Sequence, residues 1–244
     1  MGHKTNPVGF RTGITLPWRS RWYATRRNFA EWLFQDQLIR RFLRRQRELQ
    51  DAGISRIEIE RFGEEGDQIT VYVFAEHVGM VIGSQGRRIE ALEQQLREQL
   101  NVPVRLKVVE VEEPEKDANI VARWIKDELE RRMPYRRVIR MMADRVLTEG
   151  AKGVRIRVQG RLGGAEIARS ETLSRGKLPL QTLRADVDYG QATAVLSKGT
   201  IGIKVWIYRG DRIKDAQEMA AAQAAARARR RPRRSSGAPG QEER

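Results

Sequence analysis

Hydrophobic positions change period several times along the chain, and each change predicts an element. Over residues 29–50, Phe29, Leu33, Leu38 and Phe42 recur at roughly helical spacing, and Ile39, Leu43 and Leu49 widen that face. Arg40, Arg41, Arg44, Arg45 and Arg47 take the other side, and Gly53 supplies a stop. The period then drops to two. "ISRIEIERF" alternates and "QITVYVFA" is rich in β-formers, so two strands are expected, joined hairpin-fashion through "GEEGD". A short helix over 77–82 follows, then Gly83-Ser84-Gln85-Gly86, then a helix over 86–100. Its apolar residues Ile89, Leu92, Leu96 and Leu100 share one face. "VPVRLKVVEV", residues 102–111, reads as a third strand.

The acidic, proline-containing "EVEEPEKD", residues 110–117, reads as a domain boundary. Beyond it, Ala118, Val121, Ile125 and Leu129 align on a helix over 117–133, which Pro134 breaks. A second helix covers 135–149 and ends at Gly150. The remainder to Asp211 is β-rich, and four antiparallel strands on two helices is the economical arrangement. Residues 1–28 lack helical period and read as an extended arm with one short strand. After residue 211 the chain becomes alanine-rich, then basic and rich in Pro, Gly and Ser, which predicts a flexible tail. The expected fold class is α+β. Its units are an arm (1–28), a first domain with a three-stranded sheet (29–112), a second domain with a four-stranded sheet (113–211) and a tail (212–244).

Charge sharpens this picture. The 244 residues carry a net +15. Residues 1–47 hold 11 basic and 2 acidic groups, and residues 212–244 hold 9 and 4, whereas the 164 residues between are nearly neutral. Two strongly positive ends on a neutral body call for a polyanion, nucleic acid ahead of an anionic membrane surface. Cysteine is absent, which removes disulfides and thiolate chemistry and fits a reducing, cytoplasmic compartment. No apolar run reaches membrane-span length, the first ten residues lack a signal-peptide core, and Asn6 spoils a myristoylation pattern. No membrane partner is expected.

Three segments carry candidate binding chemistry. In "MVIGSQGRRIEAL" a Gly-x-x-Gly turn opens a helix, so backbone N–H groups sit at the positive end of a helix dipole, and the missing side chains let a sugar-phosphate backbone approach. Arg87 and Arg88 add charge. Alone, such a turn is more readily an ordinary helix start. Its position between two short helices, inside a helix-strand-strand-helix-helix-strand unit, matches the type 2 KH fold, whose loop clamps single strands. In "PYRRVIRMMADRV", at 100° per residue, Arg136, Arg140 and Arg137 fall at about 0°, 40° and 100°, opposite Val138, Ile139, Met142 and Val146. That is a cationic ridge, with Arg131 and Arg132 as neighbours, or else a solvated face. In "GRLGGAEIAR", Gly163 and Gly164 predict a tight turn flanked by Arg161 and Arg169. The arm interleaves Phe10, Trp18, Trp22 and Tyr23 with arginines. Its aromatics either stack on bases or pack the arm onto the domain behind it.

The blocks "MGHKTNPVGFRTGI…PWRSRWYA", "GMVIGSQGRRIEAL", "LERRMPYRRVIR", "GAKGVRIRVQGRLGGAEIARSE", "LPLQTLRADVDYG" and "GTIGIKVWIYRG" occur in the order that resembles bacterial small ribosomal subunit protein three, over about residues 1–210. The resemblance implies a component of the small-subunit head that binds rRNA, contacts mRNA at the entry side and assists its passive unwinding. It assigns Gly83 to Arg88 to a KH RNA-binding loop, and Arg131, Arg132, Arg136, Arg137 and Arg140 to entering mRNA. It makes Lys4, Arg11, Arg19, Arg21, Arg161, Gly163, Gly164 and Arg169 rRNA candidates. It implies small-subunit proteins ten and fourteen as neighbours. Loops of that family often place a basic residue between the glycines. Here Ser84 and Gln85 stand there, which leaves backbone N–H groups with Arg87 and Arg88.

An enzyme acting on nucleic acid is the main rival class. Its signals are missing. There is no G-x-x-x-x-G-K-[ST] and no H-E-x-x-H, and the two histidines, His3 and His77, are far apart in sequence. They read as an RNA-facing arm residue and a helix-start residue. Asp186 and Asp188 share a strand face, a pair that could in principle hold a metal but is expected to bridge to arginines such as Arg184. No catalytic residue, cofactor, metal or small-molecule substrate is expected, and any unwinding must be passive. A third reading is a free KH-domain regulator of mRNA.

Overall fold

The structure, a computed structural model, describes residues 4–62 and 68–212, the Glu48 side chain excepted. The expected "GEEGD" turn, the role of His3 and the basic tail beyond Arg212 lie outside these residues. In chain order the elements are α1 (Pro7–Arg11), β1 (Ser20–Arg21), α2 (Phe29–Arg45), α3 (Arg47–Asp51), β2 (Ile54–Phe62), β3 (Gln68–Ala75), α4 (Val78–Ile82), α5 (Arg87–Leu100) and β4 (Val104–Glu110). Then come α6 (Ala118–Glu130), α7 (Tyr135–Thr148), β5 (Gly153–Gly160), β6 (Arg169–Gly176), β7 (Ala185–Leu196) and β8 (Gly199–Asp211).

Two four-stranded sheets result. The first has the order β1-β2-β3-β4. Its centre is an antiparallel β2-β3 pair, with β4 added parallel to β3 and β1 parallel to β2. The arm therefore adds the edge strand to the three read from residues 29–112. One face of this sheet, with Ile57, Ile59, Val71 and Val73, packs on Ile39, Leu43, Leu92 and Leu96 of the helices. The second sheet is antiparallel throughout, in the order β6-β5-β8-β7. α6 and α7 cover one face, burying Val121, Ile125, Val138, Met142, Ile156 and Ile203 together. Gly190 permits the closest approach there, because a Cβ at that position would lie 2.1 Å from the Ala118 carbonyl oxygen.

Three expectations need correction. The helix read over 29–50 breaks at Gln46, whose ψ is 118°. In a straight helix Leu49 would stand roughly 80° from Ile39. The break lets Leu49 bury in the same core. The buried stripe of α2 is Trp32, Asp36, Ile39 and Leu43, while Phe29 and Leu33 are about half exposed, 50% and 52%. The helix is turned this way because the buried Asp36 carboxylate takes an ion pair from Arg61 at 2.7 Å and hydrogen bonds from Ser20 Oγ and Trp22 Nε1. Trp22 also sits edge-on to Phe29 and Trp32, so it packs the arm onto the domain, whereas Trp18 and Tyr23 stay exposed. Finally, the arm contains a helix. Asn6 caps α1 through its side-chain oxygen, which accepts from Val8 N, and Pro7 occupies the first turn.

A polar cluster links the two sheets. Asp117 caps α6 by accepting from the Asn119 and Ile120 amides, and it also accepts from Ser55 Oγ of β2. Asp188 accepts from Ala118 N and pairs with Arg209 at 2.9 Å. Burial pushes the Asp117 carboxyl above the usual aspartate range, and the nearby Asp188 charge adds to the push, against opposing hydrogen bonds and Arg209. A raised folded-state pKa means that this group favours the fold most below its unfolded value. That contribution is lost as pH rises through the folded value. Asp117→Asn keeps the capping oxygen and loses the titration. Its stability relative to the natural protein should therefore rise with pH through the acid range, as read from denaturant melts of both proteins. A pH-independent difference would contradict this.

Candidate nucleic-acid interface

The Gly-x-x-Gly loop joins α4 to α5. Gly83 has φ 72°, and a Cβ there would lie 2.7 Å from the Arg88 Cβ, so both conformation and space demand glycine. Residues Ser84–Gly86 form one tight turn, with Gln85 itself at φ 56°. No side chain caps α5, and the Arg87 amide donates instead to the Ser84 carbonyl within the turn. The two arginines diverge. Arg87 is exposed and donates to Gln85 Oε1 at 3.2 Å. Arg88 folds back and donates to the Met80 carbonyl, tying α4 to α5. His77 precedes α4, as its sequence position suggested.

The ridge on α7 has the geometry expected from its spacing. Val138, Ile139, Met142 and Val146 are buried, and Arg136, Arg137 and Arg140 are exposed. Arg136 makes a 3.5 Å ion pair to Glu171 and lies near the Tyr135 ring. Arg131 contacts Glu128 at 3.3 Å while remaining largely exposed. These loose surface pairs are worth little and can be exchanged for phosphate. Arg132 is a surprise, with φ 66°. Its amide reaches the Leu129 carbonyl and Met133 N reaches that of Glu128, which closes α6 through a left-handed residue. Glycine is the usual occupant of such a position. An arginine there gives up local stability relative to glycine. Arg132→Gly should raise unfolding stability by about 1 kcal/mol, measured by denaturant titration. No gain would mean that the backbone is unstrained.

The turn after β5 places Gly163 and Gly164 at φ 68° and 80°, and Arg161 Nε closes it by donating to the Ala165 carbonyl at 2.9 Å. Sequence distance hid what the fold does next. Gly163, Gly164 and Arg169 come up against Pro134, Tyr135 and Arg136, forming a cleft of about 410 Å³. Two segments read separately are thus neighbours.

The arm departs most from expectation. Arg11, expected among RNA contacts, is fully buried. Its Nε donates to the Ala185 carbonyl at 2.7 Å, Nη1 to that of Pro7 at 3.0 Å, and Nη2 to those of Leu180 and Thr182 at 3.0 and 2.9 Å, with Pro179 at 3.3 Å. All three nitrogens donate to backbone carbonyls, so this guanidinium is structural. Arg21 bridges Glu58 and Glu60 at 2.8 and 3.2 Å. Lys4 and Arg19 are exposed. Asp186 pairs with Arg212 at 3.3 Å and Asp188 with Arg209 at 2.9 Å, so both carboxylates bridge to arginines as expected, while Arg184 pairs with Asp211. Among the described residues no group of His, Asp and Glu is arranged to hold a metal, and no helix is long and apolar enough to cross a membrane.

Known proteins share this organisation. A KH domain family model matches residues 39–116, and the model for the ribosomal protein S3 C-terminal domain matches 125–207. The small ribosomal subunit protein uS3 of Coprothermobacter proteolyticus is 45% identical over 236 residues, covering 96% of this chain and 98% of the relative. That of Desulforamulus reducens is 45% identical over 223 residues, 91% of this chain and 99% of the relative. That of Gluconobacter oxydans is 46% identical over 211 residues, 86% and 91%. With a KH loop between the helices of one domain and a cationic ridge on a helix of the other, and relatives matching nearly end to end, the chain belongs to the family of small ribosomal subunit protein uS3, structural and non-enzymatic components of the ribosome.

Proposed function

We propose that the chain is a structural constituent of the small ribosomal subunit that holds rRNA and guides entering mRNA. The carrying observation is the α7 ridge. Arg136, Arg137 and Arg140 project from a helix whose opposite face is locked in a core, so the cations are presented on a rigid support. Arginines so placed grip phosphates without reading bases, which suits a strand that must slide. Arg131 and Arg132 extend the ridge. On this reading the chain divides into an arm (1–28), a KH domain (29–112), a second α+β domain (113–211) and a basic tail (212–244). The KH loop offers a helix start without a side-chain cap and the exposed Arg87 to a single strand, with Arg88 fixing the loop. Lys4, Arg19, Arg161 and Arg169 serve rRNA, and neighbouring head proteins such as ten and fourteen complete the setting. Unwinding is passive, by holding the open strand.

Sedimentation separates this reading from that of a free regulator. Tagged protein expressed at native level should travel with small subunits and full ribosomes, and remain there after a high-salt wash. Recovery chiefly with ribosome-free mRNA would overturn the ribosomal reading in favour of the regulator.

A further inference from the structure

The second sheet has an outward face that the helices do not cover. At one end the chain covers it itself. Leu178 and Leu180 pack on Ala185, Val187 and Tyr208, and α1 is pinned beside them through Arg11. The rest is open, and its composition is unusual. Register places Arg157 directly opposite Lys204, and Arg155 opposite Trp206. Like charges directly opposed across an antiparallel pair destabilise it. Among the described residues no ion pair relieves them, and the Nε atoms of Arg155 and Arg157 are buried with no hydrogen-bond partner. The residues facing these cations from both sides are Thr172 and Ser174 on β6 and Tyr189 and Gln191 on β7. No Asp or Glu stands at an outward position among them. Glu171 points the other way, to Arg136 on α7. The Tyr189 and Trp206 rings lie 5.4 Å apart, and the Arg155 guanidinium is near the Trp206 ring.

We propose that this open face is a second nucleic-acid surface, and that its occupant is a single-stranded segment of rRNA. Three cations without a counter-charge complement a phosphate backbone, and aromatic rings on an open sheet offer stacking to unpaired bases, a mode that sheets support well. Permanent rather than passing RNA follows from how the groups are held. Arg155 and Arg157 are half-buried against the sheet, and Trp206 packs on the Ala185, Val187 and Tyr208 cluster of the same face. Such groups are preorganised for one fixed geometry. The α7 arginines, long and exposed, suit a moving strand instead. Arg169 stands between the two surfaces, lining both the cleft at Arg136 and the hollow with Gln159, Thr193 and Gly202 on the open face. The proposal rests on the ribosomal reading above but is tested separately from it.

The test is site-specific crosslinking in assembled subunits. A benzophenone amino acid is placed at Thr172 or at Gln191, one on each side of the three cations, and small subunits are purified and irradiated. Primer extension should locate adducts from both positions in one rRNA segment. In an Arg155→Gln, Arg157→Gln, Lys204→Gln background the adducts should be lost while the protein is still counted in the subunit. The free protein should bind single-stranded RNA with a salt dependence shallower by about 2 in log–log slope, three phosphates at roughly 0.7 each. Adducts to a neighbouring protein or to mRNA, no adduct from either position, or adducts unchanged in the triple variant would each overturn the proposal. Failure of the probe-bearing protein to enter subunits despite a native fold would instead count against the ribosomal reading on which it stands.

Discussion

Replacing Arg136, Arg137 and Arg140 together by alanine should slow translation of structured messages and leave unstructured ones near normal. The fold should survive, because these side chains lie opposite the buried stripe of α7 and alanine is a good helix former. Incorporation into the subunit should therefore persist. The loss falls on RNA. An entering hairpin opens and closes by thermal fluctuation, and cations that hold phosphates of the open strand bias it towards opening. Each contact is worth on the order of 1 kcal/mol. Losing three shifts the opening equilibrium by roughly a hundredfold, at a factor of ten per 1.4 kcal/mol. A reconstituted system with two messages, one carrying a stable hairpin downstream of the start, measures the ratio of rates. Equal slowing, or none, with the variant present in the subunit, would mean that the ridge is a solvated face.

The second large effect concerns Arg11. Arg11→Met should release the arm from the second sheet and destabilise that half of the protein by about 3–5 kcal/mol. Methionine fills part of the space but removes the guanidinium bonds to the carbonyls of Pro7, Pro179, Leu180, Thr182 and Ala185. Arg11→Lys should rescue little, since one ammonium cannot reproduce a planar fork that serves five acceptors. Amide exchange is the direct readout. Protection of Phe10 and Thr12, whose amides bond to Asn6 and Val8 carbonyls, should fall sharply. Amides of β2 and β3 should keep theirs. Unchanged protection in α1 would show that the arm is held by other contacts. RNA affinity is a poor readout for this variant, because the guanidinium faces no solvent.

Arg11 and the α7 arginines also show where sequence reasoning succeeds and where it stops. The ridge was legible because helical periodicity alone assigns a residue to a face, and Val138, Met142 and Val146 had to be buried somewhere. Arg11 looked like its neighbours in a basic arm. What distinguishes it is a set of carbonyls 168 to 174 positions away, those of Pro179, Leu180, Thr182 and Ala185, and no local pattern encodes that. Asp36 fails for a related reason. A carboxylate in an apolar stripe reads as an exposed interruption until Arg61, Ser20 and Trp22 are brought to it, and the helix then turns Phe29 and Leu33 outward.

The sequence by itself determined the α+β class, the order of elements from β2 onward, the Gly-x-x-Gly turn, the apolar faces of α5, α6 and α7 and the concentration of positive charge. All of these follow from local stereochemistry and from periods of two and 3.6, which act within a few residues. Tertiary structure alone decided that the arm is strapped to both sheets and that Arg88 turns inward. It also brought Arg136 beside Gly163, Gly164 and Arg169, and set Arg157 opposite Lys204 on an uncovered face. Those outcomes depend on strand register and on hydrogen bonds between distant segments, whose partners exist only once the chain has closed on itself.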